Sequence, residues 1–187
     1  MQRRHFLAGL TAATTLGTAA LTAQAASTED KPTEKPFTVK AGEARFGVHT
    51  PFRGINGNDI KVSGKDTGGQ FALFEYVGNE KTGPSLHVHH EQDEIFSIIE
   101  GEYLFRVGDN EFTAKAGDTV FAPRGIPHTW LQLSEKGRQL YMVQPAGKME
   151  EFFLKMNELK GPPTEKFMLG MHKAHGMTVL GPPMTLK

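Results

Sequence analysis

Between residues 37 and 143 the apolar positions fall in short runs, each a few residues long and bounded by Gly, Pro, Asn or Asp. Phe37-Thr38-Val39, residues 45–49, Ile60-Lys61-Val62 and residues 70–77 read as strands, punctuated by the turn-forming stretches 54–58 and 64–69. Residues 95–99 and 102–107 make two more strands, and Gly108-Asp109-Asn110 turns the chain into another over 111–114. Alternation sets Tyr103, Phe105 and Val107 on one face. The runs 119–122 and 139–143 complete the series, the last ending before Pro145. Many short strands at this spacing favour an all-β sandwich or barrel over an α/β fold.

After Pro145 the period changes from two to about three and a half. Met149, Phe152, Phe153, Met156 and Leu159 form one stripe of a helix that Gly161-Pro162-Pro163 stops. A second short helix is expected from Thr164, its N-cap, to His175, with Gly176 ending it. Gly181-Pro182-Pro183 reads as an extended tail able to dock on the barrel or on a partner.

Polar positions that interrupt the strand pattern carry the chemistry. His87 and His89 stand two apart, so a strand points both imidazoles the same way. His90, Glu91, Gln92 and Asp93 are too polar for a core strand and read as a turn that brings Glu94 back beside them. His90 itself belongs on the opposite face, exposed or supporting the other two. His128 arrives from a distant piece of chain, just past Pro123 and Gly125, which end one strand and start the next. Three imidazoles and one carboxylate suit iron, manganese, nickel, copper or zinc better than calcium or magnesium, which prefer oxygen shells.

The spacing resembles the two motifs of the cupins. His87, one residue, His89, four residues, Glu94, six residues and Gly101 are similar to the first; Gly117, five residues, Pro123, one residue, Gly125, two residues and His128 are similar to the second. Gln132 stands where the second motif usually carries asparagine, and Gly83 lies closer to His87 than the glycine that usually opens the first. The resemblance, covering roughly residues 37–153, implies a jelly-roll β-barrel holding one divalent transition metal through His87, His89, Glu94 and His128. No second pair of motifs follows, so a single barrel is expected.

Within the cupins, the ligand set, the stretch VSGKDTGG over 62–69 and Pro145-Ala146-Gly147 followed by Glu151-Phe152-Phe153 resemble the quercetin dioxygenase-like group. That implies a small enolic or phenolic, flavonol-like substrate, dioxygen as co-substrate, Glu94 as candidate catalytic base, with a purely structural ligand as the alternative, and a homodimer paired through sheet edges. Strand parity puts Phe96 and Ile98 on the face of Glu94, and Trp130 and Gln132 on that of His128. Phe96, Trp130, Gln132 and Tyr103 are the expected substrate-pocket residues. The rival readings are a metal-dependent isomerase or lyase of a small sugar or acid, and a non-catalytic periplasmic ligand-binding module. Met168, Met171, His172, His175 and Met177 read first as helix packing with the histidines exposed, and a copper site is the alternative. His49 carries no motif and reads as structural.

Composition adds limits. Lys plus Arg and Asp plus Glu each total 21, so no charge excess argues for nucleic acid or an anionic membrane. The chain has no cysteine, which removes disulfides and thiolate ligands. Residues 1–25 have the layout of a signal peptide: a basic MQRRHF, a mildly apolar run over 7–23, and Ala23-Gln24-Ala25 for cleavage. Arg3-Arg4-His5-Phe6-Leu7 resembles a twin-arginine export signal. The expectation is a periplasmic or secreted protein with no membrane span after cleavage, built as signal peptide 1–25, flexible linker 26–36, barrel 37–147 and C-terminal helical segment and tail 148–187.

Overall fold

The structure, a computed structural model, describes residues 31–33, 35–52 and 54–186. The expected signal segment and most of the expected linker lie outside those residues. Two five-stranded antiparallel sheets face each other as a cupin jelly roll. The first has the order β1 (Gly57–Val62), β2 (Ala72–Gly78), β9 (Gly137–Gln144), β4 (Asp93–Glu100), β7 (Thr119–Ala122). The second runs β10 (Met177–Pro183), β3 (Ser85–His89), β8 (His128–Gln132), β5 (Glu102–Val107), β6 (Asn110–Lys115).

The period-two pattern decides which side chains meet between the sheets. Ala72, Phe74 and Tyr76 of β2, Phe96 and Ile98 of β4 and Tyr141 and Val143 of β9 point inward from the first sheet. Tyr103, Phe105 and Trp130 answer from the second. Their rings interlock: Phe74 stacks on Tyr141 at 5.0 Å, Tyr76 meets Trp130 edge-on at 4.8 Å and Phe96 meets Phe105 edge-on at 5.2 Å. Each such pair contributes about 0.5–1.5 kcal/mol beyond the area it buries.

Two glycines mark where the chain passes too close for a side chain. A Cβ on Gly83 would lie 1.7 Å from the Trp130 carbonyl oxygen, so the approach to β3 runs tight against β8. Gly101, at φ 86°, forms the β4–β5 turn, where a Cβ would stand 2.4 Å from Ser134 Oγ.

α1 (Met149–Asn157) and α2 (Glu165–Ala174) match the two expected helices. Thr164 caps α2, its Oγ1 accepting from the Phe167 amide at 3.2 Å, and Gly176 leaves it at φ 78°. No helix among the described residues is long and apolar enough to cross a membrane.

The structure corrects two expectations. Phe37-Thr38-Val39 and residues 45–49 are not strands: Arg45–Gly47 is a 3-10 turn with Phe46 at φ 65°. The Arg45 guanidinium lies 4.0 Å over the Phe37 ring and grips both Asp66 carboxylate oxygens at 2.9 and 2.8 Å, tying this segment to the turn after β1. That tie replaces the ladder partner a strand would need. The C-terminal tail returns as β10 and pairs with β3, Met177 opposite His89 and Val179 opposite His87.

Candidate metal centre

Three of the four expected ligands come from the second sheet and one from the first. His87 and His89 stand on β3, His128 lies directly opposite His87 on β8, and Glu94 projects inward from β4 across the gap. One ligand atom from each lies within 4.8 Å of every other. His87 Nε2 is 3.2 Å from His89 Nε2, and Glu94 Oε2 is 2.9 Å from His128 Nε2 and 3.6 Å from His89 Nε2. All four side chains are buried.

The loops hold the two motif segments together. The Gly125 amide donates to the His89 carbonyl at 2.8 Å. Arg124 donates to Asp93 through its amide at 2.8 Å and through its guanidinium at 3.0 and 2.7 Å, and these bonds hold the Asp93 carboxyl down to about 2.

Outer contacts fix the protonation of each ring. His87 Nδ1 faces the Ser85 carbonyl at 2.8 Å and His128 Nδ1 faces the Ile126 carbonyl at 3.2 Å; a carbonyl only accepts, so both Nδ1 atoms carry the hydrogen. His89 Nδ1 faces Gln92 Oε1 at 3.1 Å. The amide nitrogen of Gln92 is spent on the Pro145 and Ala146 carbonyls at 3.0 and 2.8 Å, so its oxygen must accept from His89. In the neutral rings that bind a cation, every Nε2 then presents a lone pair to the same point as the Glu94 carboxylate. Burial pushes the His87 imidazole well below the ordinary histidine range, with His128 and His89 adding to it, and lowers His89 as well.

Four acceptors with no donor among them repel one another unless a cation sits between them. The distances suit one: two donors each about 2.1 Å from a shared ion, at an angle between 90° and tetrahedral, stand roughly 3.0–3.4 Å apart. The residues fit a transition ion, with His87, His89, Glu94 and His128 as its ligands.

His87, His89 and Glu94 open on a cavity of about 990 Å³. Of the expected pocket residues, Phe96 and Trp130 line it. Tyr103 and Gln132 do not. Both are fully buried at the other end of the barrel, crowding the backbone of Gly137, and Gln132 donates to the Gly78 and Ser134 carbonyls at 3.3 and 3.0 Å. Parity put them on the inward face correctly; their height along the barrel is what differs.

Three wall features go beyond the expected pocket. Tyr141 lines the cavity, its hydroxyl donating to Asn58 Oδ1 at 2.5 Å, and burial, then Glu94, raises its phenol well above the ordinary range. The stripe Met149, Phe152, Phe153 and Met156 of α1 faces the cavity, so the helix serves as its wall. His172 of α2 also lines it, and burial lowers that imidazole. Gln92 was hidden within a polar turn; its signal was its place three residues after His89. His90 is exposed, bonded to Thr178 Oγ1 at 2.9 Å, and His49 pairs with Asp59 at 3.0 Å. In the methionine and histidine cluster both histidines, expected to be exposed, are buried under α2, and Met168, His172 and Met177 reach the cavity. Within it His175 Nδ1 is held by the Met171 carbonyl at 2.7 Å.

Comparison with known proteins places this geometry. Residues 72–143 match the family model described as Cupin domain. A 115-residue stretch is 24% identical to quercetin 2,3-dioxygenase of Bacillus subtilis, covering 59% of this chain and 32% of that protein. A 43-residue stretch is 40% identical to an uncharacterized protein of Methanocaldococcus jannaschii, covering 23% of this chain and 34% of that one. The matched segments thus span about a third of either curated relative. In three dimensions the chain is similar to the crystal structure of an RmlC-like cupin from Shewanella frigidimarina, with a TM-score of 0.51 at 14% identity, covering 63% of this chain and 96% of that one. That likeness speaks for the fold.

Proposed function

We propose that this cupin domain, with its four-residue metal centre, belongs to an exported dioxygenase of small phenolic or enolic compounds. The observation that carries the reading is the convergence of three imidazole Nε2 lone pairs and the Glu94 carboxylate at the floor of an aromatic-walled cavity. Partial identity to quercetin 2,3-dioxygenase supports the oxygenase class. Export rests on the twin-arginine-like start of the sequence.

A divalent transition ion held there supplies Lewis acidity that makes a phenolic or enolic hydroxyl easier to deprotonate. The chain's own groups do the remaining work. Glu94 is the base, its carboxylate oxygen taking the hydroxyl proton of a substrate placed beside it. Phe96, Trp130 and Tyr141 form walls against which a flat ring packs, and Met149 and Phe152 close the site to water. The hydroxyl of Tyr141 stays protonated, its ordinary ionisation displaced upward by burial, so it orients and does not take the proton.

The test is dioxygen uptake by purified protein loaded in turn with iron, manganese, nickel, copper and zinc, using a flavonol and a catechol. Uptake with one of them that Glu94→Gln reduces by roughly 10²-fold or more supports the reading. Turnover that proceeds equally under nitrogen overturns it in favour of an isomerase or lyase. Tight binding without turnover overturns it in favour of a binding module. We further propose a homodimer through the exposed sheet edges, which light scattering at the mass of one chain would refute.

A further inference from the structure

The wall that α1 and α2 lay over the cavity is apolar except at one point. Met149, Phe152, Phe153 and Met168 contribute thioether and ring surface; His172 sits among them, 8% exposed. Its ring stands edge-on to Phe152 at 4.9 Å and to the ligand His87 at 6.4 Å, so it overlooks the floor of the cavity from the side of β3. A buried imidazole in such a wall is costly unless both nitrogens are used.

One nitrogen is used. His172 Nδ1 faces the Met168 carbonyl at 2.8 Å, four residues back along α2, and so must donate. This fixes both the tautomer and the ring plane. Among the described residues Nε2 has no partner, and in this tautomer it offers a lone pair.

His175 gives the contrast. It makes the same kind of bond, Nδ1 to the Met171 carbonyl at 2.7 Å, one turn further along. Its Nε2, however, is sealed within the protein, with Glu151 at 3.8 Å, and the ring does not line the cavity. Two histidines on one helix end are thus held alike, and of the two only His172, with its Nε2 unpaired among the described residues, lines the cavity.

We infer that His172 is a specificity-determining residue, whose Nε2 accepts a hydrogen bond from a hydroxyl of the aromatic ligand and so selects hydroxylated rings over apolar rings of the same shape. The inference rests on the reading of the cavity as a phenol- or enol-binding site. Because α2 lies beyond residues 72–143, the cupin domain itself does not supply this group. The arm that closes the cavity also reads what enters it.

The experiment uses zinc-loaded full-length protein, redox-silent so that nothing turns over, and two probes of equal shape, phenol and toluene. Binding is followed by NMR, with the imidazole nitrogens labelled. Phenol should move the His172 Nε2 resonance on binding, while toluene leaves it in place. His172→Phe, which keeps the ring and its packing, should lower the phenol-to-toluene affinity ratio by roughly fivefold or more, the share of one hydrogen bond. His172→Gln, whose amide oxygen reaches a similar point, should keep most of the ratio. An unchanged ratio in His172→Phe, a Nε2 resonance that phenol does not move, or phenol failing to enter the cavity overturns the inference. The resonance test needs no variant, so a poorly folding His172→Phe does not rescue it. Absent dioxygen uptake alongside an intact phenol contact would instead sink the oxygenase reading and leave this one standing.

Discussion

At one end of the barrel His87, His89 and His128 turn Nε2 lone pairs, and Glu94 a carboxylate oxygen, toward one point. At the other end Tyr103, Gln132 and Gln139 bury a hydroxyl and two amides, among which the Tyr103 hydroxyl, Gln132 Oε1 and both polar atoms of the Gln139 amide have no partner among the described residues. Both ends are buried. They differ in sign. Hydroxyls and amides carry donors as well as acceptors, so a small internal rearrangement or an enclosed water can satisfy them. The ligand end holds acceptors alone, because Ser85, Ile126 and Gln92 have already claimed the imidazole hydrogens. Burial of polar atoms does not by itself mark a site; burial of one sign of polar atom, converging, does.

The sharpest way to break this comparison is to remove a ligand. His89→Ala should reduce the metal content from one ion per chain to a trace, read by elemental analysis. In the wild type, an ion present at a thousandfold its dissociation constant contributes roughly 4 kcal/mol, so chelation should lower the melting temperature by about 8–16 °C. His89→Ala should show almost no change on chelation.

A subtler lesion tests the outer contact. Gln92→Leu leaves all four ligands in place but frees the His89 tautomer, and metal affinity should drop about 10- to 100-fold in competition with a chromophoric chelator. At the far end the same size of change should act on stability alone. Gln132→Leu strips the Gly78 and Ser134 carbonyls of a donor and should cost about 1–3 kcal/mol in denaturant unfolding, with metal content unchanged.

The smallest effect is read by pH on metal-free protein. Folding lowers the affinity of His87 and His89 for protons, so below the ordinary histidine value of 6.5 the unfolded chain takes up more of them. Stability from this region is full above 6.5 and declines as pH falls. Asp66, held down by its bond to Arg45, keeps its contribution above 3.8 and loses it only in stronger acid. Asp66→Asn should therefore flatten the acid limb of the stability curve and leave the part near neutrality untouched.

How much of this was legible in the sequence follows from what period-two reasoning can and cannot carry. Parity is local, so it placed His87 and His89 on one face, returned Glu94 to them through a polar turn, and put Phe96 and Trp130 inward beside them. Parity does not give height. Tyr103 and Gln132 share the inward face with Phe105 and Trp130, yet stand two residues further along, about 7 Å away, outside the cavity. Nor does it tell a strand from a short extended run that lacks a neighbour, which is why Phe37-Thr38-Val39 and residues 45–49 misled: Arg45 lies over Phe37 and bonds the side chain of Asp66, with no ladder. The helix stripe of α1 was plain as periodicity. That it and His172 wall a cavity depends on β10 pairing with β3, a contact between residues some ninety positions apart that no local pattern encodes.

The central claim is that three imidazole lone pairs and one carboxylate oxygen are arranged to hold a single transition ion. Elemental analysis of the purified protein, combined with X-ray absorption at the edge of whatever metal is found, tests it most directly. The account predicts one ion per chain, in a shell of nitrogen and oxygen donors whose scattering requires imidazoles. A fully folded protein that retains no ion after dialysis against iron, manganese, nickel, copper and zinc would contradict it.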